Sequence, residues 1–83
     1  MKNFTFEILE YAVEATEFTS KGFERQWRVT VDGDFFANVI EFEDEGEPNE
    51  YLAFNRFAER NEYDNDVESG VKRAIASLMV VLF

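Results

Sequence analysis

Glu41-Phe42-Glu43-Asp44-Glu45-Gly46-Glu47-Pro48-Asn49-Glu50 places six carboxylates in ten residues, with no Lys or Arg among them. How it is read decides the fold, because the chain before it reads as strands and the chain after it reads as helices. Pro48 suits the first turn of a helix, where its missing N–H would be unbonded anyway. Glu47 and Glu50 suit the positive end of a helix dipole. The stretch is therefore expected to be the hinge between two halves and the most negative point of the surface.

Downstream, Tyr51, Phe54, Phe57 and Ala58 recur at helical spacing, which predicts a helix over roughly 48–61. Glu62-Tyr63-Asp64-Asn65-Asp66 then forms a second acidic connector, in which Asp64 or Asp66 is the expected N-cap. The last helix is expected over roughly 66–82. Val67, Val71, Ala74, Ile75, Leu78 and Leu82 make its apolar stripe, with Lys72 and Arg73 facing away.

Upstream, residues 34–42 alternate as a strand with apolar side chains on both faces, the pattern of a strand covered on two sides. Asp32-Gly33 is a two-residue hairpin signal. It joins this strand to one over roughly 23–31, where Trp27, Val29 and Val31 share a face. Thr19-Ser20-Lys21-Gly22 reads as a turn. The segment before it supports two periodicities. As a helix, Glu7, Glu10, Glu14 and Glu17 form one stripe. As a strand over roughly 4–14, Phe4, Phe6 and Ile8 share a face that passes to Leu9, Tyr11 and Val13, with a bulge near Ile8-Leu9. The Phe, Ile, Tyr, Val and Thr content favours the strand. The expected architecture is α+β: an antiparallel sheet of about three strands, followed by two helices packed on one face.

Eighty-three residues make one domain. A chain of this length buries only ~60% of its unfolded surface. Ten Phe, three Tyr and Trp27 supply the dense apolar volume it needs. There is no Cys, hence no disulfide or thiolate site. The N-terminal residues lack the layout of a signal peptide, and the longest apolar run, Leu78 to Phe83, is too short to span a bilayer. A soluble cytoplasmic protein is expected.

Eighteen acids against eight bases give a net charge of −10. Such a surface repels nucleic acid and anionic membrane and attracts basic partners, although charge also simply keeps an aromatic-rich protein soluble. Chemistry finds few candidates. Without His or Cys, the commonest general base and the most reactive nucleophile are missing. Ser20 lies beside Lys21, but in an expected turn rather than a desolvated pocket. Asp64, Asp66 and Glu68 have the opening spacing of an EF-hand loop, yet Ser69 and Ile75 stand where that loop needs Gly and Glu. No metal or other cofactor is expected, and no enzyme. Arg25, Trp27 and Arg28 could form a stacking surface, but Trp27 alternates in phase with Val29 and Val31 and reads as core.

What remains is a non-enzymatic binding protein whose carboxylates imitate nucleic-acid phosphates and occupy a basic site on another protein. Glu43, Asp44, Glu45, Glu47 and Glu50 are the expected contacts, with Glu62, Asp64, Asp66 and Glu68 as a second patch. In size, acidity and lack of catalytic residues the chain resembles the small phage-encoded inhibitors of host defence, the anti-CRISPR and anti-restriction proteins of DNA-mimic type. That resemblance is one of general character, since those families share no motif. It implies a Cas effector or restriction enzyme as the partner. The alternative is a structural or assembly protein, a homodimer for instance. It would self-associate through a strand edge or through the last helix, where Met79, Val80 and Phe83 lie at or off the apolar stripe.

Overall fold

The structure, a computed structural model, describes residues 3–18 and 24–83. The chain forms a six-stranded antiparallel sheet, curled into a half-barrel, with one C-terminal helix across its concave face. The strands are β1 (Asn3–Ile8), β2 (Tyr11–Phe18), β3 (Gln26–Val31), β4 (Asp34–Phe42), β5 (Asn49–Phe54) and β6 (Glu59–Asp64), and the helix is α1 (Val67–Leu82). Every strand pairs with its sequence neighbour, so the sheet is a simple meander. The expected three strands and two helices are thereby corrected at two places.

The first correction is at 4–14. It is not one bulged strand but most of a hairpin, with Ile8 paired to Tyr11 across a two-residue turn. Leu9 and Glu10 both take positive φ, 51° and 69°. This is the backbone that matches strand twist in a two-residue loop. The change of face at Ile8-Leu9 is the chain turning back. The second correction is at 48–61, where a β-hairpin replaces the expected helix: Tyr51 pairs with Glu62 and Phe54 with Glu59. Pro48 stands outside a strand, not inside a helix. The Asn55 side chain organises the turn by accepting the backbone N–H groups of Phe57 and Ala58 at 2.9 and 3.2 Å. A third, smaller adjustment lies between β3 and β4. Their register shifts after Val29, so Phe36 is the extra residue and packs against the core.

Other expectations hold. Strand 34–42 is found with the same bounds, and Asp32-Gly33 turns the chain with φ of 50° and 88°. The last helix begins one residue later than expected and is capped by Asp66, whose side chain accepts from Ser69 N. The expected turn at 19–22 and the start of the 23–31 strand lie outside the described residues.

The core follows from alternation. Phe4, Val13, Ala15, Trp27, Val29, Ala37, Val39, Tyr51 and Ala53 face inward and are buried. The alanines at 15, 37 and 53 leave room for Trp27 and for the helix. From α1, Val71, Ala74, Ile75, Leu78 and Met79 close the core. Gly70 lets the helix descend: a Cβ there would overlap the ring of Tyr51. Outward-facing Ile40, Phe42, Leu52 and Phe54 are half-buried, which accounts for apolar residues on both faces of β4.

Candidate functional site

In an antiparallel meander, turns alternate between the two ends of the sheet. One end carries the β4–β5 connection, residues 43–48, and the β6–α1 turn. Asn49 pairs with Asp64, so the two acidic connectors lie side by side. This proximity comes from the β5–β6 hairpin, which the sequence does not announce.

Within the first connector Glu47 N donates to Asp44 O at 3.1 Å, which folds the loop back on itself. Glu43, Asp44, Glu45 and Glu47 are exposed. None of the four makes a side-chain hydrogen bond or ion pair among the described residues. Glu43, Asp44 and Glu45 line a shallow open depression together with Asn49.

Of the other predicted contact residues, all but Glu68 serve the fold. Glu50 points outward beside Tyr63 and accepts from Asn61 Nδ2. Arg73 of α1 pairs with Glu62 at 3.4 Å and with Asp64 at 3.6 Å. Asp64 also accepts from Asp66 N, and Asp66 caps the helix. Glu68 is exposed in the first helical turn. Four loop acids thus lack a side-chain partner among the described residues, Glu62, Asp64 and Asp66 seat α1, Glu50 bonds within the β5–β6 hairpin, and Glu68 is exposed on α1. Among the described residues no group of three or more acids converges into a metal site.

Beneath the free loop sits a buried polar cluster that sequence reading misses. Glu41, the first acid of the run, is only 2% exposed. It stands on the inward face of β4, in phase with Ala37 and Val39. That phase is the signal that could have separated it from its neighbours. Arg25 grips it twice, Nε to Oε1 at 2.9 Å and Nη2 to Oε2 at 3.1 Å. Tyr51 Oη donates to Oε2 at 2.6 Å, and Asn49 Nδ2 approaches the same oxygen at 3.4 Å. The backbone adds Glu41 N to Arg25 O at 3.0 Å. Burial and the neighbouring carboxylate raise the pKa of Tyr51 well above its ordinary value, and the hydrogen bond to Glu41 raises that of Arg25. With both oxygens occupied, this carboxylate ties the segment entering β3 to β4 and β5 at the base of the loop.

Arg25 also lies over the ring of Trp27, 5.7 Å from its centroid. Trp27 itself is fully buried, so the three-residue stacking surface does not form. Arg28 is exposed on the other face, over Phe35. At the opposite end of the sheet, Met79 is buried and unavailable as an oligomer contact, whereas Val80 is 67% exposed. Phe83 is half-exposed and makes edge contacts with the rings of Tyr11 and Phe36, at 5.0 and 5.4 Å. No helix among the described residues is long and apolar enough to cross a membrane.

No protein-family model matches the chain, and neither a curated protein nor a solved structure does.

Proposed function

We propose that the chain is a non-enzymatic acidic binding protein whose loop end occupies a basic, nucleic-acid-binding site on a partner protein. The observation that supports this is the pairing of Asn49 with Asp64, which sets two acidic connectors together, with Glu43, Asp44, Glu45 and Glu47 making no side-chain hydrogen bond or ion pair among the described residues. Four clustered carboxylates on a short loop approximate the charge density of a duplex, about one charge per 1.7 Å of axis. The Arg25–Glu41 pair beneath them holds the loop ends in place, so little ordering entropy is lost on docking. A net charge of −10 speeds encounter with a basic surface and opposes direct contact with nucleic acid or anionic lipid. A phage inhibitor of a host-defence nuclease would have this character, with a Cas effector or restriction enzyme as the target.

The test is competition. Labelled duplex bound to such a nuclease should be displaced by the protein at low salt, with displacement falling steeply as salt rises. Changing Glu43, Glu45 and Glu47 to Gln and Asp44 to Asn should remove it. Displacement that ignores salt, or survives that variant, sinks the reading.

A further inference from the structure

The end of the sheet opposite the acidic loop carries three hairpin turns: Leu9-Glu10, Asp32-Gly33 and Arg56-Phe57, in that order across the strands. The C-terminus of α1 arrives at the same end, where Phe83 packs between Tyr11 and Phe36. We infer that this end is a two-fold interface between copies of the chain, with the Arg56-Phe57 turn of each copy seated on the Leu9-Glu10 turn of the other.

Three observations carry it. First, the outer turns are complementary. Glu10 and Arg56 are both exposed and form no ion pair among the described residues. Leu9 is 54% exposed and Phe57 is 73% exposed. Each outer turn thus offers one charge and one apolar side chain, of opposite sign on the two sides. A two-fold axis through the central Asp32-Gly33 turn exchanges the outer two, bringing Arg56 to Glu10 and Phe57 to Leu9, twice. Self-complementary pairing of residue i with j and j with i is what a two-fold interface requires. A bilayer or an unrelated protein gives no reason for this pairing of signs.

Second, Leu9 is costly to the monomer. A bulky side chain at positive φ is strained, and it is exposed as well. The neighbouring turn achieves the same backbone with Asp32-Gly33, so the unstrained solution is within reach of this fold. Asp32 also fixes the surface, since its N–H donates to Ala12 O at 2.7 Å and its carboxylate accepts from Ala12 N at 2.9 Å.

Third, the heaviest charge lies far from this end; Asp32 and Asp34, exposed beside the axis, oppose the contact and keep it weak. From Phe35 to Phe42 β4 rises seven steps, so the acidic loop stands ~23 Å away at ~3.3 Å per residue. That is nearly three Debye lengths of ~8 Å in physiological salt, and two copies joined here keep their acidic loops at the outer poles. Half-exposed rings contribute on the order of 100 Å² each, so the buried area is at the low end for specific contacts. A weak, reversible dimer is expected.

Sedimentation velocity across roughly 10 µM to 1 mM tests this, the range suited to a small interface. The protein should shift from monomer to dimer and no further. Leu9→Asn, which suits the turn better, should leave thermal stability equal or higher and weaken the dimer at least tenfold. Arg56→Glu and Glu10→Arg should each weaken it similarly, and the double swap should restore it. The variant with four neutralised loop acids should dimerise as the parent does or better, so this interface and the acidic-end reading fail independently. A monomer throughout the range, dimerisation indifferent to Leu9→Asn, or a swap that does not rescue would overturn the inference.

Discussion

Gly70 of α1 and Tyr51 of β5 share a space that holds only one side chain: a Cβ on the glycine would overlap the tyrosine ring. In an exposed helix, Gly→Ala stabilises by about 1 kcal/mol. Here the sign should reverse. Tyr51 is fully buried and tied to Glu41, so its ring cannot swing away. Overpacking of this kind typically costs ~1–3 kcal/mol. Gly70→Ala should lower the urea midpoint with little change in slope, and an unchanged or higher midpoint would show that α1 can lift off the sheet freely.

The Arg25–Glu41 pair is asymmetric in burial, 39% exposed against 2%, and the two partners should not be equally dispensable. Arg25→Ala leaves a buried carboxylate with only Tyr51 and Asn49, a loss of about 3–5 kcal/mol for an uncompensated charge. Glu41→Gln keeps the volume and an acceptor for Tyr51, and it leaves an arginine that water can reach, so about 1–3 kcal/mol is expected. The double variant should be more stable than Arg25→Ala alone. Denaturant titration of all four proteins measures this as a coupling energy, and simple additivity would contradict it.

Tyr51 gives the pair a signature in alkali. Its folded pKa is raised above the unfolded value by burial first and then by the hydrogen bond to Glu41. The folded state therefore holds this proton more tightly, and the corresponding stability is present below about pH 10, the ordinary tyrosine pKa. It is lost as the pH climbs past that value. Unfolding should set in above pH 10 together with part of the phenolate absorbance, and Tyr51→Phe should remove that part.

The contrast between these residues and the exposed loop shows where sequence reading reached and where it stopped. The apolar stripe of α1 and the alternation of residues 34–42 are strong periodic signals, and both elements are where they were expected. The β5–β6 hairpin was hidden. Tyr51, Phe54, Phe57 and Ala58 fit a helical period, while Tyr51 and Ala53 inward with Leu52 and Phe54 outward fit a strand apolar on both faces. Periodicity cannot separate those two patterns in a short run, and Pro48 is at home before either. Leu9-Glu10 was hidden for the opposite reason, because a tight turn there uses neither Gly nor Asn. The loop acids could be read directly, since a local run of charge needs no tertiary knowledge. Glu41 could not, because its partner Arg25 lies sixteen residues upstream, just before β3.

The helix start offers a local check on the second acidic connector. Asp66 adopts extended backbone and its Oδ2 accepts from Ser69 N at 2.9 Å. Losing such a cap costs about 1 kcal/mol, which lowers Tm by ~4–8 °C in a domain of this size. Asp66→Ala should therefore produce a drop of that order, and Asp66→Asn much less. Equal losses in both variants would place the contribution in the charge of Asp66 rather than in its capping geometry.

Charge as a whole should act against the fold. Arg73 sits between Glu62 and Asp64, but at 3.4 and 3.6 Å from an arginine that is more than half exposed, each pair contributes at most about 1 kcal/mol and weakens in salt. Set against it are Glu43, Asp44, Glu45 and Glu47, crowded on one loop with no ion pair among the described residues, in a chain of net charge −10. Raising the ionic strength from ~0.01 M to ~0.1 M shortens the Debye length from about 30 to 10 Å. That relieves the long-range repulsion among the acids and also screens the Arg73 pairs. Repulsion involves more charges over longer distances, so it should dominate, and Tm should rise by a few degrees over this range. Neutralising the four loop acids should raise Tm at low salt and flatten its salt dependence. Arg73→Ala should lower Tm at low salt and steepen the rise. A parent protein that loses stability as salt is added would show that its ion pairs outweigh its repulsions, and the loop would then be far less strained by its own charge than its sequence implies.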